Sequence, residues 1–135
     1  MIKTAFLGAG RMAESLIRGM IHNGGVRPVE IGCTSGTGKS AKALAASLGI
    51  HHEPDLPTLV TEADTTVLAF NPYQIETLDP RLQHYTEGKC VLSILAGTPI
   101  HRLFHHFPHA QNIIRAMPNT PAAIGQVING YTCWK

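Results

Sequence analysis

The sequence predicts an α/β fold built on a doubly wound, mostly parallel sheet. Apolar runs of strand length alternate with helical patterns along the chain, and glycine or proline marks most junctions between them. Length gives a third constraint. The 135 residues, 44% hydrophobic and 15% charged, suffice for one domain with its own core and are too few for two ordinary ones.

Residues 2–7 form the first apolar run and end at a glycine. Residues 11–22 follow with Met12, Leu16, Ile17, Met20 and Ile21 at helical spacing, and Gly24-Gly25 is their stop signal. Residues 29–34 read as a strand and 38–48 as an alanine-rich helix closed by Gly49. A short helical turn over 57–62 leads to a β-branched strand over 65–70, which stops at Asn71-Pro72. A weak helix is expected over 74–83 and a strand over 90–95. Thr98 and Pro99 then open a helix as N-cap and first residue. Residues 111–116 read as a strand, 117–121 as a proline-rich loop, and 130–134 as a last strand.

Charge separates along the chain. Residues 1–87 hold all nine acids against seven bases, a net of −2. Residues 88–135 hold no Asp or Glu and four bases (Lys89, Arg102, Arg115, Lys135), a net of +4. Such a stretch offers no carboxylate general base and would suit an anionic ligand, although chance in a short segment explains it equally well. The overall charge of only +2 argues against nucleic acid as a partner. No apolar run approaches the ~20 residues needed to span a bilayer, and Met1-Ile2-Lys3-Thr4 lacks a signal-peptide layout, so no membrane association is expected. Cys33, Cys90 and Cys133 are odd in number and form no CxxC pair, which points to reduced, buried thiols and a cytoplasmic location.

The strongest local motif is Gly8-Ala9-Gly10-Arg11-Met12-Ala13, a GxGxxA between the first strand and the first helix. Gly8 permits the tight turn, Gly10 lets backbone approach a pyrophosphate, and Ala13 allows close helix–strand packing. Phosphates would sit on the free N–H groups of the helix N-terminus. The alternative is a turn that is merely tight. A Rossmann-type NAD(P)-binding domain over residues 1–135 is therefore expected. The second strand chooses the dinucleotide, because an NAD-preferring domain ends it with Asp or Glu. Here it runs Ile31-Gly32-Cys33-Thr34-Ser35-Gly36-Thr37-Gly38-Lys39-Ser40, without an acid. Hydroxyls, glycine N–H groups and one cation suit a 2′-phosphate, so NADPH is expected over NADH; an ordinary polar loop would look the same.

Three further features could carry chemistry. Gly38-Lys39-Ser40 resembles the end of a phosphate-binding P-loop, but that motif demands glycine where Cys33 stands, and no carboxylate ends a later apolar strand. His101 and His105 are spaced i, i+4, as metal ligands can be, yet no carboxylate or cysteine is near them, His106 or His109 in sequence. A solvated face is the better reading, and no metal is expected. Arg115-Ala116-Met117-Pro118-Asn119-Thr120-Pro121 lies just past a strand, at the edge where doubly wound sheets bind ligands. Its prolines fix a rigid loop, either a platform for nicotinamide or a structural turn.

Together these residues resemble pyrroline-5-carboxylate reductase, a family that closes proline biosynthesis. The family opens with GxGxMA, ends a short strand in Lys-Pro, carries Ser-x-x-Ala-Gly after another strand, and has an Arg-x-Met-Pro-Asn-Thr-Pro loop. The matching residues are the glycine motif, Asn71-Pro72, Ser93-Ile94-Leu95-Ala96-Gly97 and the 115–121 loop. The resemblance implies that Gly8, Ala9, Gly10, Arg11, Met12, Thr34 and Ser35 hold the pyrophosphate and the 2′-phosphate of NADP. Phe70, Asn71, Pro72, Leu95, Ala96 and Gly97 would lie along the cofactor. Met117, Pro118, Asn119 and Thr120 would form the active-site loop where hydride reaches a small-molecule cyclic imine. No residue is assigned side-chain catalysis. Because the imine can be protonated, orientation and a dry pocket matter more than a strong base.

Two departures bear on function. Position 71 is Asn where the family usually has Lys. The family also continues into a helical domain that dimerises and binds substrate, for which these residues have no counterpart. The expectation is the cofactor-binding domain of a homo-oligomeric reductase, inactive alone. Its rivals are a stand-alone dinucleotide-binding sensor module, or a related reductase with another substrate.

Overall fold

A computed structural model describes residues 2–36 and 38–116. Six strands form one sheet: β1 (Thr4–Leu7), β2 (Ile31–Thr34), β3 (His51–His52), β4 (Thr65–Leu68), β5 (Cys90–Ser93) and β6 (Asn112–Arg115), in the order β3-β2-β1-β4-β5-β6. Every pairing is parallel. Leu7 aligns with Thr34 and Leu68, Leu68 with Ser93, and Ser93 with Arg115, so five strands end in one row. The expected doubly wound Rossmann architecture is thus present, with its order reversing between β1 and β4.

Five helices cover the sheet: α1 (Arg11–His22), α2 (Lys39–Leu48), α3 (Leu56–Glu62), α4 (Leu82–Tyr85) and α5 (Ile100–His106). Strands covered on both faces read as continuous apolar runs, which is why Ala5, Phe6 and Leu7 are all buried. The pleat sends successive residues to opposite cores. Phe6, Val67 and Leu92 pack with Ile17, Met20 and Leu44 of α1 and α2. Ala5, Leu68 and Val91 pack with Leu59, Leu82 and Leu103 of α3, α4 and α5. Each large side chain so buried contributes about 1.5–3 kcal/mol.

Local chemistry sets the boundaries. α1 buries Ala13, Leu16, Ile17 and Met20 along one stripe, and a Glu14–Arg18 ion pair at 3.0 Å lies on its outer face. α2 stops at Gly49, whose φ of +76° is the left-handed ending foreseen for it. At α3 the Asp55 side chain accepts the Thr58 N–H at 3.2 Å, capping the first turn. The Lys89 ammonium reaches across from the start of β5 and donates to the Thr61 and Ala63 carbonyls, the orphan acceptors at the other end.

Several expected boundaries are corrected. The helix anticipated over 74–83 is two pieces, a 3₁₀ turn (Pro72–Thr77) and α4. Pro80 lies between them and has no N–H to carry a ladder through. Strand β2 is shorter than 29–34 because Pro28–Glu30 forms its own 3₁₀ turn. Pro99 is the N-cap of α5 (φ −72°, ψ 159°) rather than its first residue. β3 was not foreseen; two histidines at a sheet edge leave no periodicity to read. Cys33 is a free buried thiol, and Cys90 is buried as well. Cys133, the 117–121 loop and the strand expected over 130–134 lie outside the described residues. Among the described residues, no helix is long and apolar enough to cross a membrane.

Candidate dinucleotide cleft

The turn after β1 is locked from two sides. The Gly8 N–H donates to the Thr34 carbonyl at 2.9 Å, and the Ala69 N–H donates to the Leu7 carbonyl at 2.9 Å, tying the turn to the ends of β2 and β4. Gly8 has φ +114°. A methyl group there would lie 2.5 Å from the Ala69 carbonyl oxygen and 2.7 Å from the Phe70 nitrogen, both backbone atoms that cannot swing aside. Only glycine fits. Gly10 is the opposite case. It caps α1 in extended conformation without a side-chain hydrogen bond, and nothing lies within 4 Å of where its Cβ would be. The space beside Gly10 is thus open at the end of α1 that carries its orphan N–H groups and the positive end of the helix dipole. Ala13, fully buried, lets the helix sit close on the sheet.

In front of this turn is a cleft of about 520 Å³, within the size range of ligand sites. Gly8, Ala9 and Gly10 form its floor, Thr34, Ser35, Gly36 and Ser40 one wall, and Ala69, Phe70 and Asn71 another. Pro54, Leu56, Gln74, Thr77, Leu78 and Asp79 form the rim. The loop after β2 is fixed internally. The Ser35 hydroxyl accepts the Ala41 N–H at 3.2 Å, and the Ser35 carbonyl accepts the Gly38 N–H at 3.2 Å. The Asn71 N–H donates to Gln74 Oε1 at 3.1 Å, which orders the opposite wall. Asp79 is the carboxylate of the cleft. Arg81, through side-chain and backbone hydrogen bonds, holds it below the usual carboxylate range.

Of the residues expected at the site, Gly8, Ala9, Gly10, Thr34, Ser35, Phe70 and Asn71 come together here. Arg11 and Met12 are exposed at the start of α1 and do not line the cleft. Neither do Pro72, Leu95, Ala96 and Gly97. Leu95 is buried in the core beneath α5, and its N–H donates to the Ser93 hydroxyl at 3.2 Å, so the Ser-x-x-Ala-Gly turn closes on itself. Met117, Pro118, Asn119 and Thr120 lie outside the described residues. The rim residues were missed. Pro54 and Leu56 arrive there only because β3 pairs at the edge of β2, and no spacing in the sequence announces that.

The remaining candidates serve structure. Burial pushes the Cys33 thiol up to about 11, and its Sγ lies 3.6 Å from the Ala41 carbonyl, which makes it a poor nucleophile. Arg102 pairs with Glu76, and Lys89 caps α3, so two cations of the carboxylate-free stretch are already used. His105 and His106 stack edge to face at 5.2 Å on α5, and none of the histidines lines the cleft.

Comparison with known proteins agrees with the fold. Residues 3–97 match the model of a family described as NADP oxidoreductase, coenzyme F420-dependent. Pyrroline-5-carboxylate reductase of Staphylococcus aureus (strain COL) is 33% identical over 131 residues, 96% of this chain and 48% of that protein. A pyrroline-5-carboxylate reductase structure from Coxiella burnetii superposes with a TM-score of 0.79 at 29% identity, over 91% of this chain and 46% of that one. The Plasmodium falciparum pyrroline carboxylate reductase with NADP bound superposes at 0.69 with 22% identity, over 91% and 44%, a likeness of fold alone. The chain spans about half the length of the curated relatives it matches.

Proposed function

The chain belongs to the family of NADP oxidoreductases, coenzyme F420-dependent, and on that footing we propose that it is the NADP(H)-binding domain of a reductase of the pyrroline-5-carboxylate reductase type. The reaction is hydride transfer from NADPH to the C=N carbon of a cyclic imine, with proline as the product. The observation that carries this reading is the cleft at the ends of β1 and β4, where the strand order reverses, with Gly8 locked against backbone and Gly10 open in front of it. The names of the relatives, pyrroline-5-carboxylate reductases, support the choice of chemistry.

A bound nicotinamide dinucleotide supplies the hydride; the chain supplies position. N–H groups at the start of α1, from Arg11 and Met12, receive the pyrophosphate. Thr34 and Ser35 occupy the place where an NAD-preferring domain carries an acid, and they receive the 2′-phosphate. Phe70 and Asn71, which line the cleft, lie along the cofactor, and Pro72, Ala96 and Gly97, outside that lining, would border its nicotinamide end with Leu95 buried behind them. The resemblance assigns Met117, Pro118, Asn119 and Thr120 to the loop beside the reacting carbon. No side chain acts as a base, because alignment and exclusion of water supply most of what hydride transfer to a protonated imine requires.

Residues 1–135 bind the cofactor and do not turn over on their own. The whole protein is a cytoplasmic homo-oligomer. Calorimetric titration with NADPH and with NADH tests the reading. Saturable binding at least about tenfold tighter for NADPH, a difference of ~1.4 kcal/mol, is expected. Equal affinity would remove the 2′-phosphate role of Thr34 and Ser35. Imine reduction at ~1–10³ per second would contradict the claim that these residues are inactive alone.

A further inference from the structure

The rim of the cleft carries a charge that the glycine motif does not explain. Asp79 lines the cleft together with Thr34 and Ser35, whereas Arg81 does not. Arg81 nevertheless wraps both carboxylate oxygens. Oδ1 accepts the Arg81 backbone N–H at 2.9 Å and its Nε at 3.1 Å, and Oδ2 accepts Nε at 3.0 Å and Nη2 at 2.6 Å. Pro80 between them fixes the turn that allows this bidentate grip. The cleft thus holds a permanent negative charge whose compensation comes from a side chain outside its lining. A 2′-phosphate adds about −1.5 to −2 of charge at pH 7 beyond the pyrophosphate that both dinucleotides share. An uncompensated Asp79 would therefore penalise NADPH more than NADH.

We propose that Arg81 is a specificity-determining residue of the cleft, which neutralises Asp79 and so admits a dinucleotide bearing a 2′-phosphate without itself touching that phosphate. The inference rests on the NADP(H) reading above. Arg81 is 62% exposed in its side chain, so solvent screens the pair and the effect is several-fold rather than many orders.

Four proteins test it: the unsubstituted chain, Arg81→Met, Asp79→Asn and the double variant, each titrated with NADPH and with NADH at low salt. Arg81→Met is expected to weaken NADPH binding about threefold to fivefold and NADH binding less. Adding Asp79→Asn to it restores NADPH affinity, and added salt shrinks the difference. If the double variant stays as weak as Arg81→Met, Arg81 is itself a phosphate ligand and the proposal is overturned. An unchanged NADPH-to-NADH ratio in Arg81→Met overturns it too. Should Arg81→Met fail to fold, Asp79→Asn alone still decides, since a loss of affinity confined to NADPH contradicts the proposal and a retained or improved one supports it. If the unsubstituted chain does not favour NADPH, the cofactor reading itself fails and this inference falls with it.

Discussion

Leu7 and Ser93 end β1 and β5 in the same row of the sheet, and each is followed within a few residues by a glycine of positive φ. Gly8, at +114°, would put a methyl group 2.5 Å from the Ala69 carbonyl oxygen; Gly97, at +70°, has nothing within 4 Å. The turn after β1 opens α1 toward the cleft, whereas the turn after β5 closes on the Ser93 hydroxyl. Both turns have motif-like sequences. What separates them is place: β1 stands where the strand order reverses, so its turn meets the end of β4 and a crevice opens beside it.

The comparison can be broken most forcefully at Gly8. Gly8→Ala combines backbone strain with a clash against immobile atoms, and a loss of about 2–4 kcal/mol is expected in chemical denaturation, together with loss of NADPH binding. Gly10→Ala separates folding from binding. Its φ of −85° suits any residue and its Cβ meets nothing, so stability should change by less than ~1 kcal/mol while NADPH binding falls about tenfold or more. Stability unchanged with affinity also unchanged would show that no phosphate approaches Gly10. Gly97→Ala carries the conformational cost alone, about 1–2 kcal/mol by thermal unfolding, and should weaken NADPH binding far less than Gly8→Ala. Equal losses of affinity would erase the distinction between the turns.

The smallest effect lies at the far edge of the sheet. Burial first, then the neighbouring His105 and Arg102 charges, lowers the His106 pKa from 6.5. A lowered pKa means that the folded state binds fewer protons than the unfolded one. This contribution is complete above pH 6.5 and is lost as pH falls below it. His106→Gln should flatten that part of the stability profile without altering cofactor affinity.

Much of the fold was legible because its signals are periodic. The stripe of α1 follows from the 3.6 repeat, and β1, β4 and β5 show as short continuous apolar runs, as strands covered on both faces do. The floor of the cleft was legible as well, since Gly8 and Gly10 answer to local backbone demands. The rim was not. Pro54, Leu56 and Asp79 reach the cleft through the pairing of β3 and the break at Pro80, and long-range placement of that kind leaves no spacing to read. The absence of an acid at the end of β2 was visible in the sequence, yet the carboxylate the cleft contains comes from Asp79, after β4.

The central claim is that the backbone at the start of α1 receives a dinucleotide phosphate. Titrating ¹⁵N-labelled chain with NADPH and following its amide resonances tests this directly. The account predicts saturable shifts concentrated at Gly10, Arg11, Met12 and Ala13, with smaller ones at Thr34 and Ser35, and little change along α5. Binding that left the amides of residues 10–13 unmoved, or shifts centred on another face of the sheet, would contradict it.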